Sequence, residues 1–145
     1  MTECSVCEKH ETKKTLPGGA VYDGVRVFVG HFPLIESEKA HYGHVILELK
    51  RHITKLAELT EAEAVEIGQW TRTIARFLET ELGAEHVYAV RIGDKTPHLH
   101  FHFVPRFPGT PKEVWSPTLW QWPGGRKATA DDMIAITKKF VAFLS

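Results

Sequence analysis

The sequence predicts an α+β fold, a central antiparallel sheet carrying one long helix and a C-terminal helix. Three observations carry this. Short runs of alternating apolar residues come in two blocks, one before residue 50 and one between residues 86 and 104. A long helical pattern separates the blocks, and a second helical pattern closes the chain. Strands and helices therefore segregate, which suits an antiparallel sheet better than a parallel one.

Leu16-Pro17-Gly18-Gly19 reads as a turn into two β-rich runs, Ala20–Tyr22 and Val25–Val29, joined by Asp23-Gly24 as a hairpin. The next strand is Tyr42–Leu49, with Val45, Leu47 and Leu49 on one face and His44 and Ile46 on the other. Thr60-Glu61-Ala62-Glu63 is a capping box that opens a helix, and Gly83 supplies its stop. Within that helix Ile67, Trp70, Ile74, Phe77 or Leu78, and Leu82 recur at helical spacing, so Trp70 is read as core. Two further strands follow, His86–Ile92 and His98–Val104, linked by Gly93-Asp94-Lys95-Thr96-Pro97. An irregular stretch rich in Pro, Gly and Trp runs from Pro105 to Lys127. Thr129–Leu144 reads as the final helix, with Met133, Ile136, Phe140 and Leu144 on one stripe.

Composition narrows the class. With 145 residues, 43% hydrophobic and 25% charged, the chain can bury the core of one domain over 1–145. No apolar run reaches the roughly 20 residues of a membrane span, and Met1 to Lys14 are polar, so a cytoplasmic protein is expected. Eighteen basic residues balance eighteen acidic ones. A duplex-binding protein normally carries a basic surplus, so duplex nucleic acid is not an expected partner. A small phosphorylated ligand is compatible with this balance.

The chemistry concentrates in Pro97-His98-Leu99-His100-Phe101-His102-Phe103-Val104. On a strand, alternate side chains share a face. His98, His100 and His102 would point one way, while Leu99, Phe101 and Phe103 face the core. Apolar residues would fill a purely structural row more cheaply, and imidazole serves as base, nucleophile or metal ligand near neutrality. The row suits either a histidine nucleophile with orienting neighbours or a catalytic metal. Separately, Cys4 and Cys7 form a Cys-x-x-Cys pair, half of a metal site or a free thiol pair.

The His-apolar-His-apolar-His-apolar-apolar run, with Pro105-Arg106 after it, resembles the histidine-triad (HIT) signature. Gly43-His44-Val45-Ile46-Leu47-Glu48-Leu49-Lys50-Arg51-His52 is similar to that family's "GH-apolar-apolar…PK-x-H" segment. The likeness runs from about Val21 to Arg106 and implies a HIT-like fold whose sheet pairs across a homodimer. It implies a nucleotide hydrolase or transferase acting at the α-phosphorus. His100 would attack phosphorus and carry a nucleotidyl-imidazole intermediate, with His98 a further member of the catalytic row. His102 would bind phosphate or help the leaving group, and His44 would line the same site. No catalytic role falls to Arg106. In similar bacterial proteins a structural zinc is closed by the histidines at the positions of His52 and His98, giving Cys4, Cys7, His52 and His98. His10 is a rival third ligand by sequence proximity. His31, His41 and His86 are taken as ordinary loop or strand residues.

Two departures bear on the substrate. The family usually holds the ribose hydroxyls with an Asp three residues before a Pro. Here the matching Pro is Pro33, and Gly30 stands in the acid's place. The loop before the triad is short and lacks the usual Gln or Ser, leaving Lys95 or Thr96 as substitutes. Trp115, Trp120 and Trp122 either stack on a base or pack the irregular segment. The chain thus divides into a metal-binding segment 1–15, the triad strand 98–104, and an irregular segment with the final helix, 105–145.

Overall fold

A computed structural model describes residues 4–13, 17–32 and 40–145. Leu16 and Pro33 lie outside the described residues. The elements are α1 (Ser5–Thr12), β1 (Ala20–Asp23), β2 (Val27–His31), β3 (Ala40–His41), β4 (Val45–Leu49), α2 (Glu61–Thr80), β5 (His86–Val90), β6 (His100–Arg106), β7 (Lys127–Ala128) and α3 (Ala130–Phe143). Five strands form one sheet in the order β1-β2-β4-β6-β5, every neighbouring pair antiparallel. The expected α+β architecture holds, and β3 and β7 add a small separate ribbon.

The period-2 alternation decides what each face of the sheet does. Val27 and Val29 of β2, Val45, Leu47 and Leu49 of β4, and Phe103 of β6 are buried on one face. There they meet Ile67, Ile74, Phe77 and Leu78 of α2 and Ile136 and Phe140 of α3. Phe77 and Phe140 stack with ring centroids 4.0 Å apart. The opposite face carries Phe28 and Gly30, Ile46 and Glu48, and His100 and His102 on adjacent strands.

The helix ends follow local chemistry. The Thr60 hydroxyl accepts from the Glu63 amide, satisfying an orphan donor of the first turn. The reciprocal half of the expected capping box does not form, because the Glu63 carboxylate instead takes both Nε and Nη2 of Arg51. At the other end Gly83 adopts φ +79, a left-handed conformation, and the Ala84 amide reaches the Leu78 carbonyl. Thr129 and Asp132 do form a complete capping box on α3. Trp70 packs on the core beside Tyr22, their rings 4.9 Å apart, as its helical spacing predicted.

Several boundaries differ from expectation for identifiable reasons. Val25 lies in the hairpin turn, 91% exposed, and β2 begins two residues later. Gly43, at φ +79, turns the chain between β3 and β4, so the expected strand Tyr42–Leu49 is shortened to Val45–Leu49. Strand β5 stops at Val90, short of Ile92. Leu144 follows the last turn of α3 and is 41% exposed, so it leaves the core stripe. The N-terminal segment, expected only as a metal half-site, is a helix capped by the Cys4 side chain.

Candidate active site and metal centre

Strand β6 begins at His100, not at His98, so the three histidines do not form one row. The Leu99 amide donates to the Ile53 carbonyl, and the Leu99 carbonyl accepts from the Leu49 amide. These bonds tie the chain into the loop after β4 before the β6 ladder starts. His98 is turned away, completely buried, with Nε2 hydrogen-bonded to the Leu49 carbonyl. Its Nδ1 faces the cysteines.

That second nitrogen belongs to a four-residue cluster of Cys4, Cys7, His52 and His98. The Cys4 and Cys7 sulfurs each lie 3.5 Å from His98 Nδ1. Cys7 Sγ is 3.4 Å from His52 Nδ1, and the two Nδ1 atoms are 3.1 Å apart. A tetrahedron with metal–sulfur bonds of about 2.3 Å and metal–nitrogen bonds of about 2.0 Å has S···N edges of about 3.5 Å and an N···N edge of about 3.3 Å. The donor set therefore fits a closed tetrahedral metal site. His98 Nε2–H on a backbone carbonyl fixes the tautomer that frees Nδ1 for a metal, the usual outer support of a ligating imidazole. Burial and the adjacent Cys4 push the Cys7 thiol up to about 11, so a thiolate here needs a cation beside it. His10 does not join the cluster, because its Nε2 lies 3.2 Å from Glu48 Oε1.

His100 sits between this centre and His102. Its Nδ1 lies 2.6 Å from the main-chain carbonyl of His98, which places the proton on Nδ1 and leaves the Nε2 lone pair unused. The His100 and His102 rings meet edge to face at 5.0 Å. His102 Nδ1 is 2.9 Å from Nε2 of His44, which is fully buried. Phe32 stacks on His44 at 4.4 Å, and Trp120 stacks on His102 at 4.8 Å. Burial, followed by the nearby His100, lowers the His102 pKa to about 4. Burial likewise takes His44 well below its ordinary value, with the His102 charge second. Both rings are neutral at neutral pH.

The irregular segment folds over the far end of this face. Trp120 covers His44 and His102, and Trp115 lies under Arg106, whose guanidinium is 3.6 Å from its ring centre. Lys127 donates to the Trp122 carbonyl. Trp115 and Trp120 thus make packing contacts, and Trp120 is in direct contact with the histidines. His31 and His41 are buried fold residues: His31 Nε2 accepts from the Gly43 amide, and His41 Nε2 donates to the Pro105 carbonyl. His86 is exposed against Tyr88.

Sequence reasoning missed Glu48. It is 5% exposed, lies opposite His100 in the β4–β6 register, and pairs with Lys9. A charged residue inside an apolar strand was the available signal. Two clefts lie elsewhere, one of about 690 Å³ beside Tyr22 and Trp70 and one of about 400 Å³ beside Tyr42 and Phe107. Neither is lined by a histidine, so chemistry and not concavity marks the site. Among the described residues no helix is long and apolar enough to cross a membrane.

An antiparallel sheet with a histidine pair on one face, a Cys2His2 cluster at its end and helices behind defines a histidine-triad architecture. The sequence matches the HIT domain over residues 25–109, more than half of the chain, and the protein belongs to the HIT family. No curated protein matches the sequence. Solved structures with the same fold include a hypothetical histidine triad nucleotide-binding protein from Sulfolobus tokodaii, 17% identical over 97% of this chain and 91% of that one, TM-score 0.68. A zinc-bound histidine triad family protein from Mycobacterium smegmatis is 17% identical, covering 98% of this chain and 95% of its own, TM-score 0.68. A histidine triad protein from Sinorhizobium meliloti is 18% identical, covering 98% of each chain, TM-score 0.68.

Proposed function

We propose that the protein is a nucleotide hydrolase or transferase acting at the α-phosphorus of a nucleoside phosphoramidate, a dinucleoside polyphosphate or a similar nucleotidyl compound. The observation that carries this reading is the His100 imidazole, held through Nδ1 by the His98 carbonyl with Nε2 open beside His102. The Nε2 lone pair attacks phosphorus, forming a P–N bond as the bond to the leaving group breaks. The leaving group takes a proton from solvent. Water or another acceptor then attacks phosphorus, loses its proton, and the P–N bond electrons return to His100.

His102 and His44 support that step. Among the described residues His44 Nδ1 is buried without a hydrogen-bond partner. An unmatched lone pair there is tolerated better than an unmatched N–H, so His44 Nε2–H donates to His102 Nδ1. His102 then carries its proton on Nε2 and can donate to a phosphoryl oxygen as charge builds. His44 acts through His102 and is a positioning residue. His98 anchors the nucleophile from outside the strand: its carbonyl holds His100, while its ring belongs to the Cys2His2 cluster.

Zinc suits the Cys4, Cys7, His52 and His98 donors, and its charge would neutralise two thiolates. The role we assign it is structural, since the four residues close a tetrahedral set and fasten α1 to the chain before β6. A cytoplasmic location, where thiols stay reduced, fits this use of the cysteines. Among the described residues strand β5 leaves one sheet edge without a neighbour, and pairing of two copies there would give the homodimer. A second reading, a nucleotide- or protein-binding module without turnover, draws on Gly30 and the short 93–97 link.

The test is turnover of a panel including adenosine phosphoramidate and diadenosine tetraphosphate by the native chain and by His100→Asn. Turnover lost in the variant supports the nucleophile. No turnover by a folded, zinc-loaded native chain favours the binding module.

A further inference from the structure

Glu48 is the unexplained charge on the catalytic face. Cross-strand registers put Phe28, Glu48 and His100 in one row on three adjacent strands, and Gly30, Ile46 and His102 in the next. Directly opposed residues hold their Cβ atoms about 5 Å apart, so the carboxylate is a neighbour of the proposed nucleophile. An apolar residue would cost less at a site 5% exposed, as Ile46 shows two positions earlier.

The carboxylate is held ready and only partly used. Lys9 pairs with Oε1, and His10 Nε2 lies 3.2 Å from the same oxygen without a directional hydrogen bond. Among the described residues no hydrogen bond engages Oε2. Burial alone would raise this carboxyl, but His10 and Lys9 outweigh it and keep it ionised, below the usual range. Gly30, in the neighbouring row, makes way for the Phe28 ring, which a side chain there would meet at 3.0 Å.

An ionised carboxylate repels a phosphate and accepts from hydroxyl groups. We infer that Glu48 is a specificity-determining residue that accepts the sugar hydroxyls of the nucleotide bound at His100, through Oε2. This deepens the proposed function and rests on it. Lys9 and His10 hold the carboxylate in place from α1, so the helix that carries Cys7 of the Cys2His2 cluster positions a group of the substrate site.

The experiment compares calorimetric binding of the four ribonucleoside 5′-monophosphates with that of their 2′,3′-dideoxy counterparts. Hydrogen bonds from hydroxyls to a charged acceptor predict at least a tenfold preference of the native chain for the ribose forms. Glu48→Gln should reduce that preference to about twofold or less. The carboxyl ¹³C resonance of Glu48 should move with ribonucleotide and not with the dideoxy ligand, a readout that needs no variant. Equal binding of the two ligands by the native chain overturns the inference and leaves the nucleotide reading intact. Equal weakening of both ligands in Glu48→Gln overturns it by reducing Glu48 to an anchor for α1. No binding of any monophosphate by the native chain defeats the nucleotide reading, and the inference falls with it.

Discussion

The two faces of the sheet are built from the same five strands and do opposite things. One face, Val27, Val29, Val45, Leu47, Leu49 and Phe103, is apolar and sealed by α2 and α3. The other carries Glu48, His100 and His102, is covered by α1 at one end and by Trp120 at the other, and leaves His100 part-exposed between them. Adjacent residues along β6 therefore belong to different problems: Phe103 is 1% exposed and holds the core, while His102 beside it is held neutral by burial. Stability and chemistry should separate by parity along the strand.

The sharpest way to break that comparison is His100→Asn. It should cost roughly 10³-fold or more in turnover while leaving the unfolding midpoint close to native, checked by steady-state kinetics and calorimetry together. The mirror experiment is Leu47→Ala on the sealed face. A fully buried Leu costs about 2–5 kcal/mol on truncation, read from denaturant unfolding. Metal removal by a chelator, or His52→Ala, should lower thermal stability by several °C, because a metal held by the four residues would tie α1 to His98.

Acidification should strike the histidine face first. His102 and His44 have folded-state pKa values below their ordinary 6.5 because burial disfavours the charged ring. The unfolded chain then binds more protons than the folded one between about pH 6.5 and 4. Stability should be full above that window and fall as pH drops through it, in a pH series of unfolding midpoints. The smallest expected effect is Thr60→Ala, which removes the α2 cap and should cost about 1 kcal/mol with no change in activity.

Much of this was legible because alternation and spacing report burial directly. The α2 stripe, the Thr60 cap and the apolar face of β4 follow from period alone. The Cys4, Cys7, His52 and His98 set followed from family resemblance, and its side chains do converge. Other features depend on contacts that no local pattern encodes. His98 fits the alternation of β6, yet bonds of Leu99 to Ile53 and Leu49 remove it from the row. The α1 helix has little apolar periodicity and one buried residue, Val6, so pattern could not announce it. Glu48 was visible as a charge in an apolar run, but its meaning needed the β4–β6 register and the return of Lys9 from the N-terminus.

The most direct test of the account is to trap the intermediate. A slow nucleotidyl substrate mixed with native chain and quenched in base should leave one nucleotidyl group on His100, located by peptide mass spectrometry and absent from His100→Asn. A competent enzyme that turns over with no label on His100, or with the label on another residue, would contradict the central claim.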